Sequence, residues 1–560
     1  MKKIKIIIGY FLSTFLMTGC NFMDCDEADN YSKEDVLASY TRVEQLVTNV
    51  YGHLQHGFCN IDGAMQDAAT DDAVHIYESS SIQYFVNGMW SPDLLVDDLW
   101  AKYYSGIRAA NLYLKETEGL TFSEYEYGDN YENIMKEFNN YKYEVRFLRA
   151  YFYFELVKRY RNVPLVLGVL SQEEANEMPS TSYEEIVKFI VDECTDVAKY
   201  LPVSYSSFQS KEYGRITKAA ALALKSRVTL YMASPLFSED SDEKWKTAAK
   251  AAYEIIGSAS ELGCSLGKYA DLFGETNNMA SEVILARSVG ETGDFEKLNF
   301  PVGIGGNRGT APTSTCPTQN LVDAYETADG KPFDWNNPDM AKNPYANRDK
   351  RLGMTIAYNG MVWPVKPLEI WEGGANGLPI QYATTTGYYL KKYLNNSISF
   401  ESDSKVTKKY HNWILFRYGE ILLNYAEAMV NAFNDPNYKN AELKMSALEA
   451  VNLVRDRSDV KMPLLPDNLN ADDFLKRVKN ERRVELAFEG HRFWDLRRWK
   501  DAGILGEKVW GMNIEGDTDE TFFVPTELQN IRTFKQAQYL MPIPMTETNK
   551  VPHIVQNPGY

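Results

Sequence analysis

Near the end of the chain a short stretch, residues 480–499, crowds together the groups from which active sites are made: Glu481, Arg482, Arg483, Glu485, Glu489, His491, Arg492, Asp495 and Arg497. One chemistry such a set suggests is hydrolysis, with two carboxylates sharing acid and base roles and His491 as a base. The spacing argues for something else. Glu481, Glu485 and Glu489 recur at every fourth position and form one row of a helix, while Val478, Arg482 and Leu486 form the neighbouring row. An arginine thus sits in an apolar stripe, flanked by glutamates. Charges facing a core are costly unless paired. The pattern predicts two helices broken at Gly490 and locked by a lattice in which Arg482, Arg492 and Arg497 meet Glu485, Glu489 and Asp495. A single histidine without metal-ligand spacing does not make a site.

Binding chemistry is better sought elsewhere. Aromatic residues make up 13% of the chain, with 37 tyrosines, and the net charge is −18. Acidity on this scale disfavours nucleic acid as a partner. Together with abundant Tyr and Trp it suits neutral polar ligands that stack on rings, such as sugars. A sugar platform needs Trp or Tyr on irregular backbone beside Asp, Asn or Arg. Two segments meet that description. The first supplies Asp71, Asp72, Asn87 and Trp90, and the second Arg308, Trp363 and Trp371. Trp100 and Trp413 fall on apolar helical faces and are expected in the core. Gly303-Ile304-Gly305-Gly306-Asn307-Arg308-Gly309 fails the dinucleotide fingerprint and reads as a loop. His53 and His56 have no third ligand near them in sequence, so no metal or cofactor is expected.

These segments need a scaffold, and the apolar periodicity supplies one. Val36, Tyr40, Val43, Leu46, Val47 and Val50 predict a helix within 32–56. Similar steps predict helices over 94–114, 133–160, 182–200, 217–232, 244–256, 413–432 and 441–457. The side chains along 57–92 and 283–408 lack that period and read as loop-rich. Ala219, Ala220, Ala221 and Ala223 allow close helix approach, and the helix–turn–helix succession resembles tetratricopeptide stacking without a strict period. The prolines of the last twenty residues predict an extended, non-helical tail.

The N-terminus is a targeting segment. Lys2, Lys3 and Lys5 precede an apolar run too short to span a bilayer, which ends in Leu16-Met17-Thr18-Gly19-Cys20. That ending resembles a bacterial lipobox, with Met17 where Leu is usual, and predicts lipidation at Cys20. An acidic tether follows. Of six cysteines, none forms a CxxC pair, so a disulfide framework is not expected.

Several segments in order resemble one family. They are Arg146 to Pro164, Gly214-Arg215-Ile216-Thr217-Lys218, Leu321-Val322-Asp323-Ala324-Tyr325, Asn347-Arg348-Asp349-Lys350-Arg351-Leu352, Thr386-Gly387-Tyr388-Tyr389, Arg417-Tyr418-Gly419-Glu420, the 480–499 stretch and the ending Gln556-Asn557-Pro558-Gly559-Tyr560. Together they are similar to the SusD/RagB-type outer-membrane lipoproteins. The resemblance implies a mainly α fold, with tetratricopeptide-like helix pairs packed against a loop-rich, ligand-binding half. It divides the chain into a signal peptide (1–19), a lipidated tether (20–31), an N-terminal helical region (32–282) and a C-terminal region (283–560). It also implies a lipid-anchored protein of the bacterial cell surface that captures oligosaccharide, or in some members peptide, and passes it to a SusC-like TonB-dependent barrel without catalysis. Its motif residues are scaffold, and the ligand residues vary between members.

Overall fold

The computed structural model describes residues 31–206, 213–239, 242–306, 313–400, 407–516 and 521–560. Cys20 and Arg308 lie outside the described residues. The fold is mainly α. Its longer helices are α1 (Tyr40–Tyr51), α2 (Trp100–Glu116), α3 (Tyr131–Tyr160), α4 (Tyr183–Val197), α5 (Lys218–Ala233), α6 (Asp242–Ile256), α7 (Tyr418–Phe433), α8 (Ala447–Arg455), α9 (Ala471–Glu485) and α10 (Arg492–Arg498). Successive helices from α2 to α8 pack on one another, and α9 packs on α7, so the body grows as a stack of neighbours. No helix among the described residues is long and apolar enough to cross a membrane.

The local causes are visible in the sequence. Ser182 caps α4, accepting from the Glu185 N–H while Glu185 accepts from the Ser182 N–H, which satisfies donors that the first turn would otherwise leave bare. In α5 the alanines are all buried, and so are Leu222, Leu224, Val228 and Tyr231. Small side chains let α4 and α6 approach it from two sides. The aromatic density of α3 is spent inside: Phe147, Tyr151, Phe152, Tyr153 and Phe154 are all buried. One hydrophobic core runs through both halves of the chain, because α6 packs on α7. The described cysteines, Cys59, Cys194, Cys264 and Cys316, are buried free thiols.

Four expectations need correction. The helix predicted from 413 begins only at Tyr418. Lys409–Arg417 is a strand that pairs antiparallel with Val283–Thr292, from Val283 opposite Arg417 to Thr292 opposite Lys409. Its unbroken run Trp413-Ile414-Leu415-Phe416 suits a buried strand as well as a helix, and periodicity cannot separate the two. The loop-rich 57–92 segment contains a helical turn, Ile82–Asn87. The tail carries another, Met545–Lys550, in the proline-free gap between Pro544 and Pro552. The 480–499 stretch breaks early: α9 ends at Glu485, and Phe488 takes a left-handed φ of 59° before Gly490 does the same. Trp100 and Trp413 are buried, as expected.

A three-residue ladder has the most bearing on function. Strand β1 (Ala73–His75) pairs antiparallel with β2 (Thr315–Pro317), Ala73 opposite Pro317 and His75 opposite Thr315. It ties the two loop-rich segments into one surface.

Candidate functional site

The charged stretch forms a buried lattice. Glu485, fully buried, accepts from three arginines: Arg351 at 2.7 Å, Arg417 at 2.8 Å and Arg457 at 2.7 Å. Burial alone would push its carboxyl up, but Arg457, Arg417 and Arg351 together hold it well below the ordinary carboxylate range. Glu489 accepts from Arg417 at 2.7 Å and Lys392 at 2.7 Å, and Arg482 donates to both oxygens of Asp495 at 3.2 Å. A Cβ on Gly419 would stand 2.6 Å from Arg417 Nη1 and 2.7 Å from Arg457 Nη2, so this close packing requires glycine. His491 offers no base for catalysis at neutral pH. Burial pulls its imidazole down to about 4, and the nearby Glu420 is taken up by Arg227.

Two arginines do not join the lattice as predicted. Arg497 meets no carboxylate among the described residues and instead lies 3.5 Å over the Phe493 ring, with burial pulling it down to about 9. Arg492 turns outward to Asp71, which it grips through two bonds of 2.9 Å. Arg483 holds Asp72 at 2.7 Å and Asp71 at 2.8 Å.

Asp71 and Asp72 are therefore not free to meet ligand. Both are buried and committed to Arg483 and Arg492, and burial of Asp71 is outweighed by those guanidinium groups, which keep it ionised. Trp90 is likewise a core anchor. It is 3% exposed, edge-on to Phe85 at 4.9 Å and near Tyr560 at 6.1 Å. Asn87 ends the 82–87 helix and accepts from the Met89 N–H at 3.0 Å, a turn role. Trp371 is half-buried against the core. Trp363 is buried edge-on to Phe300, yet it walls a cleft of about 560 Å³.

What the two segments bring together is a different set. Tyr77 follows β1, and Tyr382 lies in the second segment with its backbone in the left-handed region (φ 66°). Their rings stand 5.7 Å apart, inclined at 56°, and both are half-buried, so ring surface remains open. The His75 ring stands 5.6 Å from Tyr77. Beside them opens a hollow of about 220 Å³, lined by Asp62, His75, Tyr77, Ser79, Ser80 and Leu298. His75 Nδ1 lies 2.7 Å from the Ser314 carbonyl, which can only accept, so Nδ1 carries the proton. Nε2 is then a lone-pair acceptor; it is buried and has no partner among the described residues. Burial pulls this imidazole below its ordinary value of 6.5, so it is neutral at pH 7. Asp62 is exposed and uses one oxygen to accept from the Ser81 N–H at 2.8 Å. The arrangement presents two ring faces, a hydroxyl and a carboxylate on irregular backbone. That set can stack against and hydrogen-bond a polyhydroxylated ring.

The structure gives Asp71, Asp72, Asn87 and Trp90 core, ion-pair or turn roles, while Tyr77 and Tyr382 of the same two segments keep open ring surface. The available signal was the flank: Tyr77 is followed by Glu78-Ser79-Ser80, and Tyr382 is preceded by Gln381, whereas Trp90 follows the apolar pair Phe85 and Val86.

The family model described as "SusD family" matches residues 281–560, half of the chain. The chain belongs to the SusD family. A second model, "Starch-binding associating with outer membrane", matches residues 21–230. Among relatives of this SusD-family chain, SusD-like protein P25 of Formosa agariphila is 24% identical, with all of each chain covered. A solved SusD-like protein of Bacteroides fragilis is 27% identical, with TM-score 0.76 and coverage of 94% of this chain and 99% of that one. A solved SusD-like carbohydrate-binding protein of the same organism is also 27% identical, with TM-score 0.73 and coverage of 93% and 100%. The mainly α, SusD-like architecture expected from the sequence is the one observed.

Proposed function

We propose that this SusD-family chain captures neutral oligosaccharide on the Tyr77–Tyr382 platform and does not cleave it. The paired, half-open tyrosine rings beside the exposed Ser79 and Asp62 carry this reading. A sugar lays its C–H face on the rings, and its hydroxyls meet Ser79 and Asp62. The net charge of −18 disfavours acidic glycans. The carboxylates of the 480–499 stretch are held by arginine and lysine, which leaves no acid–base pair there for glycoside hydrolysis. The outer-membrane description of the matching family model supports a surface location. On this reading Cys20 carries lipid, and the captured glycan passes to a SusC-like TonB-dependent barrel.

The test is a soluble form beginning after Cys20, run through affinity gels containing soluble starch, mixed-linkage β-glucan, xylan or mannan. At least one glycan should retard it, with no reducing sugar released. Tyr77→Ala and Tyr382→Ala should each weaken retention about tenfold, equivalent to ~1.4 kcal/mol. Retention untouched by both substitutions would remove the platform from the binding site. Calorimetric heat with peptides alone would replace glycan by peptide as the ligand.

A further inference from the structure

The wide cleft walled by Trp363 is separate from the tyrosine platform. The helix Asp294–Asn299 lies between them: Leu298 lines the platform hollow, while Phe295 packs at 4.9 Å on Phe58, which lines the cleft. At about 560 Å³ the cleft falls within the roughly 300–1,000 Å³ of ligand pockets. Its ionised groups are already engaged. Glu275 pairs with Lys409 at 3.3 Å, Lys392 with Glu489 at 2.7 Å and His411 with Glu296 at 2.9 Å, while Lys391 donates to the Gly353 carbonyl at 2.6 Å.

What remains unengaged is neutral. The side chain of Tyr410, half-exposed on the rim, makes no ring contact or hydrogen bond with any described residue. The Trp363 indole N–H and the Asn396 amide are also unpartnered among the described residues, and Asn395 uses its Oδ1 but leaves its amide nitrogen free. An open ring face with uncharged donors and acceptors around it selects a neutral, hydroxyl-bearing ligand over an anion or a cation.

We propose that this cleft is a second saccharide subsite, so that one glycan chain crossing the 294–299 helix engages Tyr410 and the Tyr77–Tyr382 platform together. The proposal rests on the glycan-capture reading. Two linked subsites make the second contact intramolecular and raise avidity by about 10²–10⁴ for a chain long enough to span both, and not at all for a short one.

The experiment compares each polysaccharide of the panel with its own trisaccharide, by affinity gel and calorimetry. The proteins are wild type, Tyr410→Ala, Tyr77→Ala/Tyr382→Ala and the triple variant, each with its melting midpoint checked. Tyr410→Ala should weaken polysaccharide binding at least tenfold and leave trisaccharide affinity unchanged. The platform variant should keep a weak retention that the triple variant loses. Asn396→Ala should reproduce part of the Tyr410→Ala loss. Wild-type polysaccharide binding by Tyr410→Ala and Asn396→Ala, with no binding left in the platform variant, would overturn the second subsite and leave glycan capture standing. Failure of every glycan to bind wild type would overturn both.

Discussion

The lattice around Glu485 and the platform around Tyr77 use their residues in opposite ways. In the lattice, charge is dense and nearly every charge faces an opposite one within hydrogen-bond reach, with water excluded. At the platform, polar groups are sparse, and ring surface is left open. Saturated groups hold a structure together, and unsaturated ones at an open surface are available to a ligand. Density of chemistry-bearing residues is therefore a poor guide to a site, and open ring surface on irregular backbone is a better one.

The contrast breaks most severely if lattice charges prove dispensable. Glu485→Ala removes one carboxylate from each of three buried guanidinium groups and should cost about 3–5 kcal/mol by urea denaturation. Trp90→Ala sharpens the same contrast within a single loop. Its indole is core, so the substitution should cost about 3–5 kcal/mol, with glycan affinity changed only through folding. A stable Trp90→Ala protein that has lost binding would return Trp90 to the site.

Acid should then dissolve the lattice. Glu485 and Glu489 have pKa values held below their ordinary 4.5 against the opposing effect of burial, Glu485 by three arginines and Glu489 by Arg417 and Lys392. Their contribution is present above pH 4.5 and is lost as pH falls through the depressed values, so the urea midpoint should drop progressively below about pH 4.5. A midpoint unchanged between pH 5 and pH 3 would contradict the lattice reading.

A milder test separates paired from unpaired buried charge. Asp67 accepts from the Phe488 N–H at 3.2 Å, and burial, with Asp72 nearby, pushes its carboxyl up to about 7. The folded state binds the extra proton between pH 3.8 and 7, so the native charge weighs against stability above that window. Asp67→Asn keeps the acceptor and should be more stable than wild type at pH 8, with the gain fading as pH falls through 7 towards 3.8. Smallest of all, Tyr77→Ala should move stability by less than about 0.5 kcal/mol, because its ring is half-open, while weakening glycan retention.

Local pattern reached some of this and could not reach the rest. The helices from Tyr131 to Ile256 were legible because their apolar residues repeat at the helical period and Ser182 or Thr217 marks a start. Glu481 and Glu485 were legible as buried because they share a face with apolar neighbours. The partners were not. Asp71 reads as an exposed loop acid until Arg483 and Arg492, more than 400 positions away, arrive to claim it. Tyr77 and Tyr382 were hidden for the same reason, since neither is a platform without the other.

The β1–β2 ladder has a consequence for how the protein is made. His75 meets the Ser314 carbonyl across 239 positions of sequence. Closing so long a loop is entropically slow, and it waits on contacts that local helices do not need. The helical stack can form as the chain emerges, but Tyr77 gains its companion only after Tyr382 has been synthesised.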